Sequence, residues 1–146
     1  MMDVSKVMTA NPACCTTSTP LRDVARMMAE NDCGEIPVVD DETQRHPIGV
    51  VTDRDIVLRT LAIGRDPGTC SAGDCMTTPV VTTRPDTPLE DCRELMEAHQ
   101  IRRIPVVDEA GRLCGIVAQA DIAQRASRKD VGELVREVSQ PGTPPH

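Results

Sequence analysis

Ile36-Pro37-Val38-Val39-Asp40 returns sixty-eight residues later as Ile104-Pro105-Val106-Val107-Asp108. Three β-branched residues around a proline, closed by an acid, have the composition of a short strand that runs into a polar turn. Outward from that stretch, at the same offset, Met8-Thr9 falls on Met76-Thr77, Thr19-Pro20-Leu21 on Thr87-Pro88-Leu89, and Met28 on Met96. Downstream the offset drops to sixty-six, so that Gly49-Val50-Val51 meets Gly115-Ile116-Val117 and Asp55-Ile56 meets Asp121-Ile122. Matches in this order mark an internal duplication with a two-residue deletion in the second copy.

Each copy spells one unit. A short strand is expected near residues 14–16, and near 80–82 in the second copy. Thr19 and Thr87 stand where a helix N-cap would, each followed by proline at the first helical position, and Glu90 completes a Thr-x-x-Glu capping box. Leu21, Val24, Ala25 and Met28, like Leu89, Cys92, Leu95 and Met96, recur at spacings near three and four, which gives each helix one apolar face. Two strands follow, 36–40 with 48–52 and 104–108 with 113–118. A second helix closes each copy at 53–61 and 119–126, with Ile56, Val57 and Leu61 as the buried set of the first.

The unit is therefore β-α-β-β-α, an α+β fold. One such unit leaves its sheet half uncovered, and two packed about a pseudo-twofold axis cover each other. The expected divisions are 1–61 for the first repeat, 62–70 for a turn-rich connector and 71–127 for the second repeat, with Ser71 capping a short helix through Met76. Residues 128–146 read as a tail, partly helical through Val131, Leu134, Val135 and Val138, then disordered.

Hydrophobic residues make up 39% of the 146 and charged residues 27%, a globular balance. No apolar run approaches the roughly 20 residues that cross a bilayer, and Met1-Met2-Asp3-Val4-Ser5-Lys6 lacks the basic-then-apolar layout of a signal peptide. A cytoplasmic protein without membrane contact is expected. Seven cysteines with no C-x-x-C read as reduced thiols, several of them buried, and His46, His99 and His146 are not spaced with them as metal ligands. The net charge of −7 repels a polyanion, and the chain has no Phe, Trp or Tyr on which to stack bases. These features argue against nucleic acid as a partner; any bound purine has to be sandwiched by aliphatic side chains. No Ser-His-Asp order, nucleophile elbow, phosphate loop or paired-acid constellation occurs in the sequence, which argues against an enzyme.

The duplicated Ile-Pro-Val-Val-Asp strands, the Gly-x-x-Thr-x-x-Asp run from Gly49 to Asp55 and the segment His99-Gln100-Ile101-Arg102-Arg103-Ile104-Pro105 together resemble CBS domains over about residues 4–126. The chain looks like a stand-alone CBS pair of the hypoxic response protein type. The resemblance implies a tandem pair that binds an adenosine nucleotide between its repeats, foremost AMP, ATP or NAD. It also implies no catalytic cofactor, a homodimer, and a regulated partner protein that the sequence does not name.

Where Gly49-Val50-Val51-Thr52-Asp53-Arg54-Asp55 turns from strand to helix, free N–H groups and the positive end of the helix dipole suit phosphate. The Thr52 hydroxyl can donate to a phosphate oxygen, Asp55 can accept both ribose hydroxyls, and Gly49 lets a ligand approach the backbone. The same Thr-x-x-Asp pattern also describes a capping box that does nothing but start a helix. The second copy keeps Asp121 and replaces Thr52 with Ala118, so the hydroxyl is not required for the helix to begin.

By resemblance, each cleft joins this corner of one repeat to the leading strand of the other. Thr52, Asp55, Gly49 and Arg54 would then face Pro79, Val80, Val81 and Ile101 as apolar walls, with Arg102 and Arg103 reaching phosphate. The other cleft would join Asp121 and Ala118 to Asn11, Pro12, Ala13, Cys14, Gly34 and Glu35. Glu35 holds there the place of Arg103, and a carboxylate in a partly desolvated cleft repels phosphate by on the order of 1 kcal/mol or more. That cleft is expected to be empty, weak, or suited to a less charged adenosyl group. Two further readings stay open: a dimerisation scaffold that needs no ligand, and a redox sensor using Cys14 or Cys15.

Overall fold

The duplicated segments form two antiparallel hairpins with the same register. Strand β2 (Glu35–Val39) pairs with β3 (Pro47–Thr52), aligning Pro37 with Val50, and β4 (Arg103–Val107) pairs with β5 (Leu113–Ala118), aligning Pro105 with Ile116. Both hairpins carry an irregularity at the matching step, Val38/Val39 and Val106/Val107. Prolines are tolerated mid-strand because the neighbouring segment never asks for their nitrogen: Cys15 N–H donates to the Pro37 carbonyl and Val39 N–H donates to Cys15, with Thr83, Pro105 and Val107 repeating the arrangement. The bridging residues are Cys15, inside the expected strand, and Thr83, one beyond it.

The computed structural model describes residues 2–125, so the expected tail at 128–146 lies outside the described residues. Helix α1 (Leu21–Glu30) buries Leu21, Val24 and Met28, and α4 (Leu89–His99) buries Cys92 and Met96. Ala25, expected inside, is exposed. Thr19 and Thr87 do not cap these helices. Their hydroxyls accept from the N–H groups of Thr16 and Arg84 in the preceding turns, Pro20 and Pro88 occupy the cap positions, and Glu90 pairs with Arg93 instead of closing a box. Ser71 does cap α3 (Ala72–Cys75), sharing a capping box with Asp74.

Each repeat hands its leading segment to the other. Strand β1 (Thr9–Ala10) pairs with β5, and Thr77 makes the equivalent antiparallel bridge to Val50 on β3. Val4, from the start of the chain, is buried in the second core with Cys92, Met96, Ile104, Val106, Val117 and Ile122. Its counterpart Ala72 is buried in the first core with Leu21, Val24, Met28, Ile36, Val38 and Val51. The two cores are thus each built from both halves of the sequence, which ties the repeats together.

Helix α2 (Asp53–Arg59) departs from its expected burial. Val57 and Leu61 are 50% and 65% exposed. The inward positions go to half-buried Ile56 and fully buried Thr60, whose hydroxyl donates to the Ile56 carbonyl. The helix ends at Arg59, so Leu61 falls in a separate turn of 3₁₀ helix, Leu61–Ile63, and not on the buried stripe.

Candidate functional site

Thr52 closes β3 and caps α2, and its hydroxyl accepts from Asp55 N–H while Asp55 Oδ2 accepts from Thr52 N–H, both at 3.0 Å. The capping box is therefore fully made. Thr77 of the exchanged leader adds its hydroxyl to both Asp55 oxygens at 3.1 Å, and the Arg59 guanidinium lies 4.0 Å away. The free N–H groups expected at this corner are not free: Asp53 N–H donates to the Gly34 carbonyl, Arg54 N–H to the side chain of Asp53, and Asp55 N–H to Thr52. Asp53 and Asp55 also put two acids in the first turn of a seven-residue helix. A ribose at Asp55 has to share the carboxylate with the Thr77 hydroxyl and Thr52 N–H, and the Thr52 hydroxyl hydrogen is what this corner still has to offer a phosphate.

Gly49 permits a close approach, but by the chain itself. A Cβ there would lie 2.9 Å from the Thr77 carbonyl oxygen. Of the other residues assigned to this cleft, Arg54, Pro79 and Arg102 are exposed, Val80 is half-buried, and Val81 and Ile101 pack against the second core.

The second corner is a looser version of the first. Ala118 stands in place of the threonine, and Asp121, in the helical segment 119–125, accepts from Ala118 N–H at 3.4 Å. A cavity of about 270 Å³ opens there between the repeats. Pro12, Ala13, Ile36, Pro37, Ile116 and Ala118 supply apolar surface, and Asp32, Glu35, Asp121 and Arg103 supply charge. Gly34 lines the adjoining open recess with Asp53 and Arg103. Cys14 faces a different cavity of about 590 Å³, beside Cys15, Thr16 and Met27, and takes no part in the inter-repeat one.

Arg103, assigned from the sequence to the cleft of Thr52, lines the cavity of Asp121. It heads β4 opposite Ala118, as Glu35 heads β2 opposite Thr52, so the residues that the duplication exchanges come to the same seam. Burial pushes the Glu35 carboxyl up to about 7; Arg103 opposes the rise and Asp55 adds to it. Its Oε2 is buried and accepts no hydrogen bond. Ile36, Pro37 and Ile116 were missed as cavity walls. Aligning the two Ile-Pro hairpins in register would have placed them, since Pro105 opposite Ile116 fixes Arg103 opposite Ala118.

All seven cysteines are free thiols. Burial, with Cys14 beside it, pushes the Cys15 thiol up to about 12, a direction that disfavours the reactive thiolate at neutral pH.

A family model of the CBS domain matches the sequence twice, over residues 4–61 and 72–128. The chain belongs to the CBS domain family. This CBS pair is 34% identical over 141 residues to Hypoxic response protein 1 of Mycobacterium tuberculosis, spanning 97% of this chain and 96% of that protein. It is 38% identical over 140 residues to the CBS domain-containing protein YhcV of Bacillus subtilis, spanning 95% and 96%.

Among solved structures, Hypoxic Response Protein I with two coordinated zinc ions superposes with a TM-score of 0.76 at 36% identity, covering 84% of this chain and 98% of that one. Arabidopsis thaliana CBSX2 in complex with AMP superposes with a TM-score of 0.74 at 29% identity, covering 89% and 99%. The tandem α+β pair read from the sequence is the fold of these proteins. Among the described residues of this CBS pair, no three His, Cys, Asp or Glu side chains are grouped to hold a metal, and no helix is long and apolar enough to cross a membrane.

Proposed function

We propose that this CBS pair is a non-catalytic, cytoplasmic regulatory module that binds an adenosine nucleotide between its repeats and acts as a homodimer on a partner protein. One observation carries the reading: the inter-repeat cavity combines aliphatic walls, a carboxylate from Asp121 and a guanidinium from Arg103. Aliphatic walls sandwich a purine in a chain without aromatic residues, a carboxylate accepts ribose hydroxyls, and a guanidinium meets phosphate. The volume, about 270 Å³, is at the small end of ligand pockets and suits a mononucleotide better than a dinucleotide. That CBSX2 is solved in complex with AMP supports AMP as the first ligand to try. ATP and NAD remain in the ligand class, with their larger phosphates or second nucleoside reaching toward the open recess at Gly34.

The weight of the site shifts to the Asp121 side, the reverse of the ranking made from sequence, because Asp55 is already engaged by Thr52 and Thr77. The same satisfied box supports the alternative of a scaffold that needs no ligand. The two are separated by thermal unfolding with AMP. Ligand at 100 times its Kd stabilises the folded state by about 2.7 kcal/mol. We expect wild type and Asp55→Ala to show this gain, and Asp121→Ala to lose it. A chain without Trp or Tyr barely absorbs at 280 nm, so a 260 nm band from protein free of nucleic acid also reports co-purified nucleotide. Absence of both the band and the stabilisation for AMP, ATP and NAD leaves the scaffold reading.

A further inference from the structure

Glu35 is the one described residue with a buried side-chain oxygen that lacks any hydrogen-bond partner, and it lines the cavity where a nucleotide is proposed to sit. The charged groups around it are unbalanced. Arg103 on β4 favours its charged form and Asp55 at the start of α2 disfavours it, while Asp121 from the segment 119–125, Asp32 just past α1 and Cys33 line the same cavity and Asp53 packs over the adjacent Gly34. Arg59 lies 4.0 Å from Asp55, and Arg103 is the cation that acts on Glu35. A phosphate drawn to Arg103 takes up the cation that favours the charged form of Glu35 and puts a second anion beside it. Two anions sharing such a site cannot both stay ionised cheaply, and the group that gains a proton is the one already poorly solvated.

Resting on the nucleotide reading above, we propose that Glu35 selects ligands by charge: a nucleotide whose phosphate reaches Arg103 enters together with one proton from solvent, which Glu35 holds, whereas the unphosphorylated nucleoside enters without one. Protonation removes the negative charge of a carboxyl whose buried Oε2 has no hydrogen-bond partner to stabilise it, at the point where a second anion arrives. No bond to the ligand is made or broken, and the proton returns to solvent when the ligand leaves. The free group already titrates near neutrality, at about 7, so the coupling falls in an accessible pH range.

The test is calorimetric titration of the full chain with AMP and with adenosine between pH 7 and 8.5, in buffers of different ionisation enthalpy. Throughout this range the AMP phosphate is largely dianionic, its second pKa being about 6. We expect AMP binding to take up a fraction of a proton that grows with pH, and its affinity to fall by up to about tenfold per pH unit. Adenosine binding should be flat, and Glu35→Gln should bind AMP without proton uptake. AMP binding that is independent of pH, or proton uptake that survives in Glu35→Gln, overturns the proposal while leaving the nucleotide reading intact. Should the variant not fold, AMP against adenosine on the wild type still decides. If neither ligand binds, both readings fall together.

Discussion

Glu35 shows how a single side chain links fold stability to the proposed site. Its carboxyl titrates at about 7 in the folded chain against an ordinary 4.5, chiefly because burial disfavours the charged form. Between those values the native chain keeps a proton that the unfolded chain has released. The stabilisation from this group is therefore complete below about pH 4.5, declines as pH rises, and is gone above about pH 7. At 1.36 kcal/mol per pH unit the gap corresponds to roughly 3 kcal/mol. Glu35→Gln keeps the shape and removes the ionisation, so its Tm should exceed that of the wild type by several degrees at pH 8 and match it near pH 4.5. Equal gains at both pH values would show that the side chain is not strained by its charge.

The same logic of close approach operates between elements, at the two glycines where leading segments cross. A Cβ on Gly49 would meet the Thr77 carbonyl oxygen at 2.9 Å, a backbone atom that accepts from Val50 N–H in a residue whose own N–H donates to the Val50 carbonyl. A Cβ on Gly115 would meet Met8 Sδ at 2.6 Å, the far end of a flexible side chain, and the Thr9 carbonyl oxygen only at 3.2 Å. Gly49→Ala should therefore cost about 1–3 kcal/mol in urea unfolding and Gly115→Ala distinctly less, although the positions are equivalent in the repeat. A larger loss at Gly115 would mean that the Met8 side chain cannot move aside. The hairpins were legible in the sequence because Ile-Pro-Val-Val-Asp repeats with β-branched residues and fixed turns. The exchanged leaders were not, since a two-residue strand such as β1 carries no periodicity and its partner is more than a hundred residues away. The same gap hid the position of Arg103. The sequence places it beside Arg102, but strand pairing brings it to the seam with Glu35, and Arg102 is left exposed.

For the molecule as a whole, one surface is out of keeping with a chain of net charge −7. Val57, Leu58, Leu61 and Ile63 are 50%, 47%, 65% and 69% exposed, all within the stretch that runs from α2 into the following turn. A stretch that leaves four aliphatic side chains exposed, two on α2 and two in the 3₁₀ turn after it, is the kind of surface that a second copy covers, since an isologous contact doubles each patch against itself. The homodimer proposed here is expected to use this face. Leu61→Glu with Ile63→Glu removes two apolar anchors from each copy and sets like charges opposite one another. Each 2 kcal/mol lost weakens the dimer by roughly thirtyfold. Sedimentation at micromolar concentration should find wild type as a dimer and the double variant as a monomer, with the variant's unfolding temperature in AMP rising as the wild type's does, because neither residue lines the inter-repeat cavity. A wild type that sediments as a monomer at tens of micromolar would leave the patch to a different protein, and the regulated partner would then be sought at this face.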